Sequence, residues 1–298
     1  MTNAEIEAFL TISNERNISL AARKLFISQS SLSLRIKALE HELSCSLFNR
    51  SRGKHEVTLT SDGEKFLDLA LQYKQILSSM AMLGKSNTVL RIAAVNSISS
   101  FLITEVCEKF MCAYPNIALE VHDLEKTDEI CKWIENGQTD LALACGNVHG
   151  RKLRSFPLFR EKMEFICSEY SSYPQIVGID CLNPKNEIYV NWFVDFIQWH
   201  SETFNTHGCH PIFVSNMTQL RKFLSQPNRW AFVPSTVTEG LISAGFSITK
   251  KELSFEIPNR TIYLLFPLKP TASSAADLFL NEIKKHIQAK PEITLLFK

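Results

Sequence analysis

Apolar residues recur every three or four positions through much of the first 85 residues, the spacing of amphipathic helices. Glu5 to Asn14 carries Ile6, Phe9, Leu10 and Ile12 on one side. A short patch follows at Leu20, Ala21, Ala22 and Leu25. After a four-residue step, Phe26 to Gln29, a second patch runs through Leu32, Ile36, Leu39 and Leu43. Two short helices with a tight step predict a helix-turn-helix, whose second helix can lie in a DNA major groove. Val57 and Leu59 then alternate with Thr58 and Thr60, a strand signal. From Thr60 to about Lys85, Phe66, Leu69, Ala70, Tyr73, Ile76, Leu77, Met80 and Leu83 predict one long helix, which Gly84 and "KSNT" end.

From Val89 the pattern changes. "VLRIAAV", "IALEVHD" and "TDLALAC" read as strands, separated by helices in "SISSFLITEVCEKFMCAYP" and "TDEICKWIENG". This alternation predicts a mainly parallel sheet covered by helices. Near Glu161 a second lobe begins, with strands expected in "KMEFICS", "EIYVNW", "PIFVS" and "WAFVP". Helices are expected around Phe193–Phe204, Gln219–Leu224 and Ser235–Ala244. "RTIYLLFPL" should return to the first lobe and Ala275–Ile287 should close it. Two crossings give a bilobed module with a cleft at the seam.

The expected class is therefore an α/β multidomain protein. It has a winged helix-turn-helix (1–60), a long linker helix (61–88) and a two-lobed, periplasmic-binding-protein-like sensor domain (89–298). Lobe I is assigned 89–160 and 267–298, and lobe II 161–266.

Charge sharpens the first part. The chain of 298 residues is nearly neutral at +1. Between Arg16 and Lys54, eight basic residues face only Glu40 and Glu42. Ser28 is placed to cap the second helix. Gln29, Ser30, Ser31 and Ser33 crowd the same end, where free amides favour phosphate and Gln can pair with adenine. Arg35 lies further along, and Arg50, Arg52 and Lys54 surround Gly53 in a basic wing suited to backbone or minor groove.

"SLAARKLFISQSSLSLRIKALEHELSCSLFNR" followed by "LTSDG" resembles the N-terminal signature of LysR-type transcriptional regulators. Ala21, Ala22, Leu25, Ser28, Gln29, Ser33, Ile36, Leu39, Glu40, Leu43, Leu47, Phe48, Arg50, Leu59, Thr60 and Gly63 stand at the matching positions. "YPNIALEV" and "ENGQTDLAL" extend the likeness into the sensor. The chain departs from the family with Ser30 for Pro, Leu34 for Arg and Ser44 for Gly. Pro227, Asn228 and Arg229 stand where the family commonly has a Gly-rich turn.

The resemblance implies double-stranded DNA as partner, the long helix as a dimerising linker, a homodimer or homotetramer, and a small-molecule effector in the cleft. Ser28, Gln29, Ser30, Ser31, Ser33, Arg35, Arg50, Arg52, Lys54 and Thr60 are the expected DNA surface. Ser97, Ser99 and Ser100, where the first sensor strand meets a helix, form an anion-friendly corner. By fold analogy Asn147, Asn191, Trp192, Thr218 and Pro234 face them.

Other chemistry has less in its favour. "HSETFNTHGCHP" gathers His200, His207, Cys209 and His210, a set that could bind metal or tune a thiol, but such segments are usually loop surface. The eight cysteines form no C-x-x-C pair and are expected to be reduced and mostly buried. No Gly-rich phosphate loop, G-x-S-x-G or H-E-x-x-H occurs, so no catalytic residue, cofactor or metal ligand is assigned. No apolar run reaches membrane-spanning length and the first residues carry charges, so the chain is expected in the cytoplasm.

Overall fold

Thr2 starts the first helix, α1 (Asn3–Glu15), through a capping box: its hydroxyl accepts from Glu5 N and its own amide donates to the Glu5 carboxylate. The computed structural model describes residues 1–49, 57–81, 88–124, 126–146, 148, 152–205, 210–268 and 273–297. They fall into two units, Met1–Gly84 and Lys85–Lys298.

In the first unit α1 is followed by α2 (Ile18–Lys24) and α3 (Gln29–Leu43). Ile6, Phe9, Ile12, Ala21, Ala22, Leu32, Ile36 and Leu39 close one core, the faces their spacing predicts. β1 (Phe48–Asn49) pairs antiparallel with β2 (Thr58–Leu59). α4 (Ser61–Ala81) then begins with Phe66 and Ala70 packed on that core, while Leu69, Ile76 and Met80 stay exposed. Glu40, buried on α3, accepts from the amides of Leu47 (2.8 Å) and Phe48 (3.4 Å) and so fastens the helix to the strand pair. Gly63 is required at its place: a Cβ there would stand 2.1 Å from the Leu47 carbonyl oxygen.

In the second unit the first sheet has six strands. β3 (Thr88–Val95) runs into α5 (Asn96–Ile98), a π turn (Ser99–Ile103) and α6 (Thr104–Ala113). β4 (Ile117–Leu124), α7 (Thr127–Glu135) and β5 (Leu141–Cys145) follow, and β6 (Leu153–Glu161) leaves for the second lobe. That lobe holds β7 (Met163–Ser168), β8 (Ile176–Val177), α8 (Val194–Phe204), α9 (Met217–Leu224), β9 (Trp230–Pro234), α10 (Ser235–Ser243) and β10 (Ile248–Leu253). β11 (Arg260–Pro267), α11 (Ser273–Gln288) and β12 (Ile293–Leu295) complete the chain. The sheet orders are β12-β6-β11-β5-β3-β4 and β8-β10-β7-β9. Leu90, Ile92, Phe110, Phe279 and Ile283 are buried in the first lobe, and Phe165, Phe196, Trp230 and Phe232 in the second.

Four expectations change. The six-stranded sheet is mixed rather than mainly parallel: β3 pairs parallel with β4 and β5, but β11 is antiparallel to β5 and β6, and β12 to β6. The outgoing and returning strands lie side by side, and a chain that reverses must pair antiparallel. For the same reason the return begins at Arg260, inside the span given to lobe II. "EIYVNW" and "PIFVS" form single bridges, Glu187 with Trp230 and Tyr189 with Phe213, instead of strands. Among the described cysteines, all free, Cys107 and Cys167 are buried, whereas Cys112 and Cys181 are exposed.

Ser44 ends α3 in the left-handed region at φ 53°. That conformation costs an L-residue about 1–2 kcal/mol. Ser44→Gly should therefore stabilise the first unit by about 1 kcal/mol, read as a higher urea midpoint at unchanged slope.

Candidate nucleic-acid interface and cleft

The exposed end of α3 is built by its own polar residues. Ser28 accepts from Ser31 N at 3.1 Å, and its hydroxyl also meets those of Ser30 (2.8 Å) and Ser31 (2.9 Å). Gln29 donates from Nε2 to Ser19 Oγ at 2.8 Å, which ties the start of α3 to α2. Ser28, Gln29, Ser30 and Ser31 are exposed, and Ser33 and Arg35 are half-buried. Leu34, where the family has Arg, is 66% exposed, and Phe26 in the turn before α3 is 96% exposed at φ 54°. The face therefore mixes hydrogen-bonding groups with apolar ones that can meet a thymine methyl. Thr60 is occupied: its hydroxyl donates to Ser46 O at 2.6 Å and accepts from Gly63 N at 2.9 Å, capping α4. Arg50, Arg52 and Lys54 lie outside the described residues.

A cleft of about 630 Å³ in the second unit is lined by Lys126, Thr127, Cys145 and Tyr263 from the first lobe and Asn191, Trp192 and Val194 from the second. Burial pushes the Cys145 thiol up, beyond what the nearby Arg260 guanidinium offsets. Asn191 accepts from Tyr189 Oη at 3.0 Å. Trp192 donates from its indole to Phe232 O at 2.7 Å, and the Arg260 guanidinium sits 5.4 Å from its ring centre.

The other expected effector residues do not line this cavity. Ser97 is buried and accepts from Arg260 Nη1 at 2.8 Å. Ser99 and Ser100 belong to the π turn, Thr218 is exposed on α9, and Pro234 is buried at the end of β9. Asn147 lies outside the described residues.

Sequence reasoning missed the pair that organises this corner. Arg260 and Glu161 are each 1% exposed and stand opposite one another in the β6–β11 register. Arg260 Nε and Nη2 reach Glu161 Oε1 at 2.8 and 2.6 Å. Glu161 Oε2 accepts from Thr236 N (3.0 Å) and Thr236 Oγ1 (2.8 Å). Only the alternation "FRE … RTIY" hints at inward charges, and it does not say that they meet.

A helix-turn-helix with a strand pair, followed by two lobes around a cleft, is the architecture of a ligand-responsive regulator of transcription. The family model for bacterial regulatory helix-turn-helix proteins of the LysR family matches residues 4–64, and that for the LysR substrate binding domain matches 84–288. The chain belongs to the LysR family of DNA-binding transcriptional regulators.

It is similar to a probable RuBisCO transcriptional regulator of Trieres chinensis, 26% identical over 95% of this chain and 96% of that one. A protein of the same description from Nostoc sp. is 24% identical over 94% and 86%. Among solved structures, full-length CbnR complexed with its target DNA aligns at TM-score 0.66 and 15% identity, over 96% of this chain and 100% of that one. A full-length OxyR variant from Pseudomonas aeruginosa aligns at TM-score 0.63 and 21% identity, over 95% of each chain.

Arg260→Met should lower stability by about 3–5 kcal/mol, because it strands a buried carboxylate. Adding Glu161→Gln should recover part of that loss, so a double-mutant cycle in urea should be clearly non-additive.

Proposed function

We propose that this LysR-family regulator binds an inverted-repeat promoter site as a dimer or tetramer through the exposed end of α3. Gln29, Ser31 and Ser33 would read or position the major groove, with Ser28 and Ser30 shaping the same end. Arg35, Arg50, Arg52 and Lys54 would hold phosphate or minor groove. Thr60, expected on this surface, also fixes the start of α4. The observation that carries the reading is the division of α3: Leu32, Ile36 and Leu39 are buried, while Ser28 to Ser31 are exposed.

Self-association is supported by α4, where Leu69, Ile76 and Met80 remain 53–60% exposed on a helix of 21 residues. Two recognition helices then meet two half-sites of one duplex. A small-molecule effector in the cleft beside Asn191 and Trp192 would bias the lobes. Binding and regulation, without catalysis, is the role we assign, and the cytoplasm, where the DNA is, its place. Among the described residues no helix is long and apolar enough to cross a membrane.

Mobility shift with operator DNA tests the central claim. Gln29→Ala should weaken specific binding by about 1–3 kcal/mol, roughly 5- to 150-fold, while non-specific binding stays level. Affinity should fall by about 0.9 log unit per log unit of salt for each phosphate neutralised, and Lys54→Ala should reduce that slope by about one. Equal losses on specific and random duplex for Gln29→Ala would sink the readout assignment.

Sedimentation tests the linker. Ile76→Asp with Met80→Asp should shift the protein towards monomer without unfolding it, because both side chains are solvent-facing in the single chain.

A further inference from the structure

Three segments of the second lobe bring a carboxylate and two imidazoles together in a place that DNA binding and the cleft leave unused. Glu187 is held by its backbone bridge to Trp230. His200 comes from α8, and His210 opens the segment that bridges to Tyr189 through Phe213. One ligand atom from each of the three side chains lies within 4.8 Å of the others.

Two observations distinguish this cluster from an ordinary buried ion pair. Glu187 and His200 are 2% and 1% exposed, and His200 Nε2 meets Glu187 Oε1 at 2.7 Å. That contact uses one carboxylate oxygen. Glu187 Oε2 and His210 Nδ1 are both buried without a hydrogen-bond partner among the described residues. A buried polar atom left unpaired is costly, and both belong to side chains of this one cluster.

The rings are also held in place. His210 stacks parallel on Tyr189 at 3.5 Å between centres, and His200 packs against Phe204 at 4.8 Å. Burial pushes the Glu187 carboxyl up and the His210 imidazole down. An electron-pair acceptor is what such groups lack.

We propose that Glu187, His200 and His210 bind one divalent first-row transition-metal ion of the zinc or cobalt class. Two imidazole nitrogens and one carboxylate oxygen suit such ions and not magnesium or calcium, which take oxygen donors. Tetrahedral zinc with bonds of about 2.1 Å sets its ligands about 3.4 Å apart, so the cluster contracts on one side. The ion takes the place of the proton that Glu187 and His200 share, and that proton leaves to solvent. Three protein ligands leave one position open to water. His210 is only half-buried, so an ion can enter on its side. Tyr189, stacked on His210, also donates to Asn191 at the cleft, so occupancy reaches a cleft-lining residue through one side chain.

The test uses the full-length protein stripped with a chelator and titrated with Zn²⁺, and separately with Co²⁺, against a chromophoric competitor. One tight equivalent per chain is expected. His210→Gln and Glu187→Gln should each weaken it by more than the 10- to 100-fold loss typical of a supporting residue. Bound Co²⁺ should absorb in the visible without an intense thiolate charge-transfer band, and Mg²⁺ should not compete. His210→Gln alters the less buried partner, so it decides the matter even if Glu187→Gln fails to fold, with circular dichroism as the check. The assignment is overturned by the absence of a tight equivalent, or by an affinity that His210→Gln leaves unchanged. A thiolate band that Cys209→Ser abolishes would likewise move the site elsewhere.

Discussion

Arg260 and Glu161 form a buried ion pair at the two points where the chain passes between lobes, Glu161 ending β6 and Arg260 opening β11. Removing two charges from water costs several kcal/mol per ion, and geometry must offset it. Here the guanidinium meets Glu161 through two nitrogens and Ser97 through a third, while Thr236 satisfies the second carboxylate oxygen from its amide and hydroxyl. Four chain segments are therefore fixed by one pair of charges: the two crossings, the start of α5 and the start of α10. An apolar pair of equal volume could hold the lobes as firmly. It could not demand one register across β6 and β11, because only one alignment puts the charges face to face.

This pair reaches into the serine corner that the pattern of the chain marks out. Ser97, at the carboxyl end of β3, accepts from a charged group. The group is Arg260, distant in sequence and close in space. Gly240 tells a similar story. A Cβ there would stand 2.2 Å from Phe101 Cδ1, so α10 carries glycine to admit an aromatic ring from the π turn. Neither relation has a local signal, because both depend on which segments the fold brings together.

What was legible follows the same division. Helices with a continuous apolar stripe, such as α3 and α11, and strands with unbroken apolar runs, such as β5 and β9, declare themselves because one face or both must leave water. β6 contains Pro157, and β10 reads "ITKKEL" with exposed lysine, so neither offers a run. Ser44 was legible in both senses: its departure from glycine is visible in the sequence, and the strain that departure implies is present at φ 53°. Glu187 carried no sign. It stands in a stretch that looks like a strand and acts as a single bridge, and His200, within a helix the spacing does predict, is buried, which the spacing does not say.

The cleft's walls differ in what they can transmit. A ligand resting on Thr127 and Cys145 touches the first lobe alone, and equal contact in two lobe arrangements shifts neither population. Trp192 is different. Its indole is pinned to Phe232 O on β9, and its ring faces the Arg260 guanidinium at 5.4 Å. Cation–π attraction is worth about 0.5–1 kcal/mol when exposed and about 2 or more when desolvated. A ligand that displaces Trp192 therefore alters the surroundings of the one charge on which both crossings depend. Response to a ligand should accordingly follow contact with Trp192 more closely than overall affinity for the cleft, since only differential contact can move the equilibrium.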